Sequence, residues 1–158
     1  MHPPYVAVIG PGAGATEQDC DHARRAGEWL ARQGIIVLSG GLGGVMGATA
    51  EGVRDGGGTC VGLLPGSSRA EAHPAQTVAI PTGLGELRNG LLVRAADAVL
   101  AINTSWGTMS EVALAVRTEV PVVMLGGWPM PASGVVVTDS LDEALDRVAA
   151  YARDRATP

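Results

Sequence analysis

Short, almost unbroken apolar runs alternate along the chain with longer stretches in which apolar residues recur every three to four positions. The runs predict strands at Tyr5–Ile9, Ile35–Leu38, Thr59–Leu64, Thr77–Ile80, Ala98–Ile102, Pro121–Leu125 and Val135–Thr138. Several are nearly continuous Val, Ile, Leu and Ala, as expected of parallel strands covered on both faces. Helical spacing predicts helices at Glu17–Gln33, Val45–Asp55, Gly85–Ala95, Met109–Arg117 and Leu141–Arg153. Thr16-x-x-Asp19 and Ser140-x-x-Glu143 have the form of capping boxes, and Gly34 suits a helix C-terminus. In the last helix Leu141, Ala144, Leu145 and Val148 share one face and charges occupy the other. Alternation with short connections predicts a three-layer, Rossmann-like α/β sandwich around a mostly parallel sheet of six to seven strands, one domain over residues 1–158. The one long connection without a helix, Pro65–Gln76, carries Arg69 and His73 and reads as a surface crossover or a lid.

Composition narrows the chemistry. The 158 residues are 46% hydrophobic and 17% charged, which excludes disorder. All 11 basic residues are Arg, so no step can use a lysine amine: no Schiff base, no pyridoxal phosphate linkage, no Walker lysine. The net charge of −5 argues against nucleic acid or an anionic membrane as partner. Cys20 and Cys60 are not closely paired and read as small buried hydrophobes. His2, His22 and His73 form no cluster at ligand spacing, so no metal site is expected and no cofactor is required. The start, Met1-His-Pro-Pro, lacks a signal-peptide pattern, and no apolar run reaches the roughly 18–20 residues of a membrane span. A soluble, cytoplasmic protein is the expectation.

The 23 glycines concentrate where an open parallel sheet binds ligands, beyond the C-terminal strand ends. Gly10-Pro-Gly12-Ala-Gly14 follows the first strand. Its register fails the dinucleotide fingerprint, because Ala15 fills the last position and no acidic residue closes the second strand, but it suits a tight turn near a ligand. Ser39-Gly40-Gly41-Leu-Gly43-Gly44-Val45-Met46 runs into a helix start, where free amides and the helix dipole suit a phosphate. The same glycines could instead only permit close strand–helix packing. Asn103-Thr-Ser105-Trp106-Gly107-Thr108 follows the fifth strand, with Gly107 and Thr108 opening the next helix. Thr108-x-x-Glu111 has the form of a capping box; alternatively, the Glu111 carboxylate faces the cleft. Arg88 shares helical spacing with Leu91, Leu92 and Ala95, which places it on a buried face where it needs a carboxylate or phosphate partner. Arg94 suits a solvated face, and Trp106 either packs or stacks on a base.

Together these segments carry a resemblance. Ser39-Gly-Gly-x-Gly-Gly-Val-Met-Gly47, Gly62-x-x-Pro-Gly66, Thr82-Gly-x-x-x-x-Arg-Asn89, Ala96-Asp-Ala-Val-x-Ala-Ile102, Gly107-Thr-x-x-Glu111 and Pro121-Val-Val occur in order. The chain resembles the superfamily of the Lonely Guy cytokinin-activating phosphoribohydrolases and the molybdenum cofactor carrier proteins, and sits closer to the carrier-like branch. The resemblance implies a homodimer or homotetramer with a nucleotide-type site at the strand C-termini. It also implies catalytic roles for Arg88 and Glu111 in cleaving the N-glycosidic bond of an AMP-like nucleoside 5′-monophosphate, with phosphate on Ser105–Thr108. Asn89 stands in the Arg-Lys dipeptide of the hydrolases, and Asn103, Thr104 and Ser105 replace the Pro-Gly-Gly of their motif. These side chains narrow the room at the backbone and remove any glycine φ freedom. Two expectations follow for a small phosphorylated ligand, namely hydrolysis to base and ribose 5-phosphate, or non-catalytic carriage of a cofactor such as molybdenum cofactor.

Overall fold

The computed structural model describes residues 2–131 and 133–157; Met1, Ala132 and Pro158, which fall within the expected domain span, lie outside it. Seven strands form one sheet: β1 (Tyr5–Ile9), β2 (Ile36–Ser39), β3 (Cys60–Leu64), β4 (Val78–Pro81), β5 (Ala98–Ile102), β6 (Val122–Leu125) and β7 (Val135–Thr138). Their order is β4-β3-β2-β1-β5-β6-β7, and every neighbouring pair is parallel. Each strand lies within a residue of its expected place: the central ones are apolar runs covered on both faces, and the edge strands β4 and β7 are short apolar runs that stay partly exposed.

The period-2 alternation of the strands divides the core in two. Val6, Val8, Val37, Leu100, Ile102 and Val123 face α1 (Glu17–Arg32), α2 (Val45–Asp55) and α5 (Leu141–Ala156). Ala7, Ile9, Leu38, Val99, Ala101 and Met124 face α3 (Arg88–Ala95) and α4 (Trp106–Arg117). The three layers and the Rossmann-like architecture expected from the sequence are therefore present. Cys60 is fully buried and Cys20 packs at the edge of the first core. No described helix is long and apolar enough to cross a membrane.

Local chemistry sets the boundaries. Thr16 and Asp19 form the reciprocal capping box of α1. Gly34, at φ 73°, reverses the chain after that helix, and Ile35 N–H returns to the Leu30 carbonyl. Ser140 caps α5, but Glu143 turns instead to Thr138 and Arg147, so only half of that box forms.

Two helix starts differ from expectation. The stretch expected as one helix from Gly85 is a 3-10 turn at Gly85–Leu87 followed by α3, because Gly85 has φ 57° and cannot continue a right-handed helix. α4 begins at Trp106 rather than Met109. Its N-cap is Ser105, whose hydroxyl accepts the Thr108 amide at 3.2 Å, so Thr108 lies inside the first turn and the Thr108–Glu111 box does not form.

The Pro65–Gln76 connection forms a crossover with a short 3-10 turn at Arg69–Glu71. His73 N–H donates to the Gly41 carbonyl at 2.8 Å, and the Gln76 amide donates to the Ser39 hydroxyl at 2.9 Å. The crossover is thus fastened under the glycine loop.

Candidate functional site

Strand order reverses between β1 and β5, which places the crevice of an open parallel sheet beyond their C-terminal ends. Three loops meet there. The turn after β1 lies against the one after β2: a Cβ on Gly44, itself at φ 63°, would stand 2.2 Å from the Gly12 carbonyl oxygen. Val45 N–H closes this junction on the Pro11 carbonyl at 3.0 Å. Gly10 is equally confined, with the Ile102 carbonyl and Val45 side chain under 3 Å from any added Cβ. Here the glycines do permit close packing.

A small cavity of about 20 Å³ at this junction is lined by Val8, Ile9, Gly10, Gly40, Met46, Arg88 and Glu111. Its volume suits about one water molecule, too little for a sugar. Arg88 donates from Nε to the Leu63 carbonyl (2.8 Å), from Nη2 to the Gly40 carbonyl (3.2 Å) and from Nη1 to the Asn89 side-chain oxygen. Burial lowers the Arg88 pKa, and the Glu111 charge opposes this. An arginine nevertheless stays cationic at neutral pH. Burial pushes the Glu111 carboxyl up to about 7, against the pull of Arg88. Glu111 therefore faces this cavity rather than capping α4, and is poised between acid and base near neutrality.

The start of α4 offers a second feature. The amides of Trp106 and Gly107, the first two helical positions, have no partner within the helix, and none of the described residues accepts from them. Both residues lie in an exposed turn, with Trp106 82% exposed. Trp106 meets Trp128 edge-on, with ring centroids 4.8 Å apart. Ser105, at φ −147°, is in ordinary extended backbone and needs no glycine. Asn103 takes φ 58°, a left-handed conformation that asparagine tolerates better than most residues.

The structure therefore brings Gly10, Gly40, Met46, Arg88 and Glu111 together. Ser105, Trp106, Gly107 and Thr108 form the adjacent helix start, and Gly43 lies exposed on the loop before α2. Ser39 and Val45 are fully buried and act beneath the site: the Ser39 hydroxyl accepts from Gly41 N–H and from Gln76. Gly41 packs over Leu64, and Gly12 lies over Met46. Asn89 touches Arg88 and lines an apolar groove of about 510 Å³ with Leu87, Gly90, Trp106, Gly107 and Leu114. On α3 the buried side is Arg88, Leu92 and Val93, whereas Leu91 and Ala95, expected on that face, are exposed. They miss it because the α3 face that they share with Leu87 opens away from the sheet.

Asp19 was legible only as a cap. It is buried, and both its oxygens also accept from the Asn103 side-chain amide at 3.1 Å. No local spacing signals a contact between residues 84 positions apart. Among the described residues no group of three or more His, Cys, Asp and Glu is placed to hold a metal ion.

An all-parallel Rossmann-like sheet with these ordered glycine loops is the architecture of the superfamily containing the Lonely Guy hydrolases and the molybdenum cofactor carriers. The chain belongs to the SLOG cluster4 family, whose model matches residues 3–154. It is similar to the molybdenum cofactor binding protein from Rippkaea orientalis, at 31% identity and a TM-score of 0.90, over 95% of this chain and 98% of that one. It is likewise similar to the molybdenum cofactor carrier protein of Chlamydomonas reinhardtii, at 34% identity and a TM-score of 0.85, over 94% and 98%. A probable cytokinin riboside 5′-monophosphate phosphoribohydrolase of Oryza sativa subsp. japonica is 34% identical over 87 residues. That match spans 54% of this chain but only 38% of the rice protein.

Proposed function

We propose that the protein binds a phosphorylated heterocyclic small molecule at the β1, β2 and β5 loops and carries it intact. The phosphate sits on the Trp106 and Gly107 amides, and the ring system lies outside the small Arg88–Glu111 cavity. The observation that carries this reading is the start of α4, where two free amides and the helix dipole receive an anion without a lysine. Departure from Pro-Gly-Gly has left that start intact, since Ser105 now caps it. Arg88, by contrast, is fastened to two backbone carbonyls in a space too small for ribose, which supports holding over cleaving. The full-length likeness to molybdenum cofactor binding proteins supports a phosphorylated pterin of that kind as cargo. This chain would contribute amides to such a cargo's phosphate, its metal retaining other ligands. The phosphate-facing set is Gly43, Met46, Ser105, Trp106, Gly107 and Thr108. Gly10, Gly12, Ser39, Gly40, Gly41, Gly44 and Val45 shape the loops, with Asn89 at the rim.

A second reading, phosphoribohydrolase activity on AMP-like monophosphates, is favoured by one observation. Glu111 has a pKa near 7 beside a space for one water, which suits a general acid or base. Homodimer or homotetramer formation is proposed as well, supported by the exposed Leu84, Leu87 and Leu91 near α3. A cytoplasmic location, with neither nucleic acid nor membrane as partner, completes the proposal.

The test pairs two mass-spectrometric measurements. Native spectra of freshly purified protein should show a phosphorylated ligand retained. Incubation with AMP, CMP and GMP should release no base. Release of base and ribose 5-phosphate that disappears in Glu111→Gln would replace the carrier reading with the hydrolase.

A further inference from the structure

We propose that Asp19 and Asn103 are positioning residues, a side-chain clamp that holds the phosphate-binding start of α4 in its receptive shape. The inference rests on the binding site proposed above and adds the device that maintains it. Where the hydrolase motif has proline and two glycines, the chain has Asn103, Thr104 and Ser105. Two glycines would leave such a loop free to sample many shapes. Here side chains fix each residue. The Asn103 amide donates to both oxygens of Asp19 at 3.1 Å, and its own Oδ1 accepts the Thr104 amide at 2.8 Å. The Thr104 hydroxyl accepts from Trp128 N–H at 3.1 Å, and the Ser105 hydroxyl takes Thr108.

The anchor of this chain of contacts is rigid. Asp19 is 6% exposed, lies in the first turn of α1, and accepts the Thr16 amide at 2.9 Å as part of its cap. The clamp therefore ties the β5 loop to a helix on the opposite side of the sheet from Glu111. Its hydrogen bond to a buried carboxylate is of the stronger, charge-assisted kind. It also holds Asn103 at φ 58°, the turn that leads into the Ser105 cap and the first helical residues, Trp106 and Gly107. Ordering the loop in advance removes an entropy cost from ligand binding.

The test uses the full chain, with AMP and inorganic pyrophosphate as probes in titration calorimetry. Asn103→Gly keeps the left-handed turn available but deletes the amide, so the protein should still fold, with a lowered melting temperature from the under-satisfied Asp19, while AMP binds about tenfold more weakly. Asn103→Asp sets two carboxylates together and should weaken binding at least as much. The exchange D19N/N103D restores one of the two Asp19–Asn103 hydrogen bonds with donor and acceptor reversed, while position 19 still accepts from Thr16 and position 103 still accepts from Thr104. It should recover affinity to within about threefold, a coupling that independent sites do not show. His22 and Asp139 line the adjoining cavity of about 320 Å³, so all variants are compared at one pH.

Wild-type affinity in folded Asn103→Gly, or no recovery in the exchange, would overturn the clamp. If the wild type bound neither probe, the binding reading would fail by itself. Amide exchange of ligand-free protein then decides the clamp: Thr108 and Met109, whose amides are bonded to Ser105, should exchange faster in Asn103→Gly, and unchanged rates would overturn it.

Discussion

The starts of α2 and α4 are both helix N-termini aimed at the crevice, yet they are made in opposite ways. At α2 the cap is Gly44, with no side-chain hydrogen bond, and the backbone of Gly12 lies directly over it. At α4 the cap is Ser105, the loop before it is fastened by side chains, and the first two helical residues are exposed. Glycine is required where main chain meets main chain, whereas an exposed loop can be shaped by hydroxyls and an amide. The α2 start is thus a structural junction that carries Met46 and Gly40 to Arg88, and the α4 start is the one proposed to receive the anion.

The contrast breaks most violently at α2. Gly44→Ala would put a Cβ 2.2 Å from the Gly12 oxygen in a left-handed conformation. Urea denaturation should show a loss well above the roughly 1 kcal/mol of the conformational term alone, because the junction itself must move. A loss under that figure would mean that the two loops are not packed as described.

Glu111 comes next. Its carboxyl titrates near 7 when folded and near 4.5 when free, so the folded state holds the proton more tightly. The protonated form is compatible with burial, so the contribution to stability is complete at low pH. It is lost progressively as pH rises from about 4.5 through about 7, by on the order of 3 kcal/mol. Glu111→Gln should flatten this part of the stability–pH curve and be relatively more stable in mild alkali. A wild-type curve that rises across the same interval would contradict the buried, near-neutral carboxyl.

At α4 a smaller effect is expected. Ser105→Ala removes a cap and should cost about 1 kcal/mol, seen as an earlier urea midpoint at unchanged slope. Smallest is Trp106→Ala, whose ring is mostly exposed; losing its contact with Trp128 should cost about 0.5 kcal/mol, the low end for an aromatic pair. If the groove at Leu87 and Trp106 is a contact between copies, the same substitution should also lower the oligomer mass in light scattering.

Most of the fold was legible in the sequence because the central strands are apolar runs covered on both faces, and even the half-exposed edge strands β4 and β7 keep short apolar runs between turn residues. Arg88 was legible as a buried charge that needs a partner, but spacing left that partner as a carboxylate or a phosphate and left Glu111 between a cap and the cleft. Folding holds Arg88 on the Leu63 and Gly40 carbonyls and sets Glu111 on the same small cavity. The start of α4 was not legible, since Ser105 and Thr108 are both competent caps and only the turn of the chain at Asn103 selects the first. Leu91 was misplaced because the face that it shares with Leu87 is apolar without being covered. The Asp19–Asn103 contact had no local signature: the carboxylate serves a cap in its own helix, and tertiary folding gives it a second partner.

The most direct test of the central claim is a 15N–1H NMR titration of the wild-type chain with AMP. The account predicts that the Trp106 and Gly107 amides shift first and furthest, with smaller changes at Gly43 and Met46. Saturable shifts elsewhere that leave Trp106 and Gly107 unmoved would contradict a phosphate seat at the start of α4.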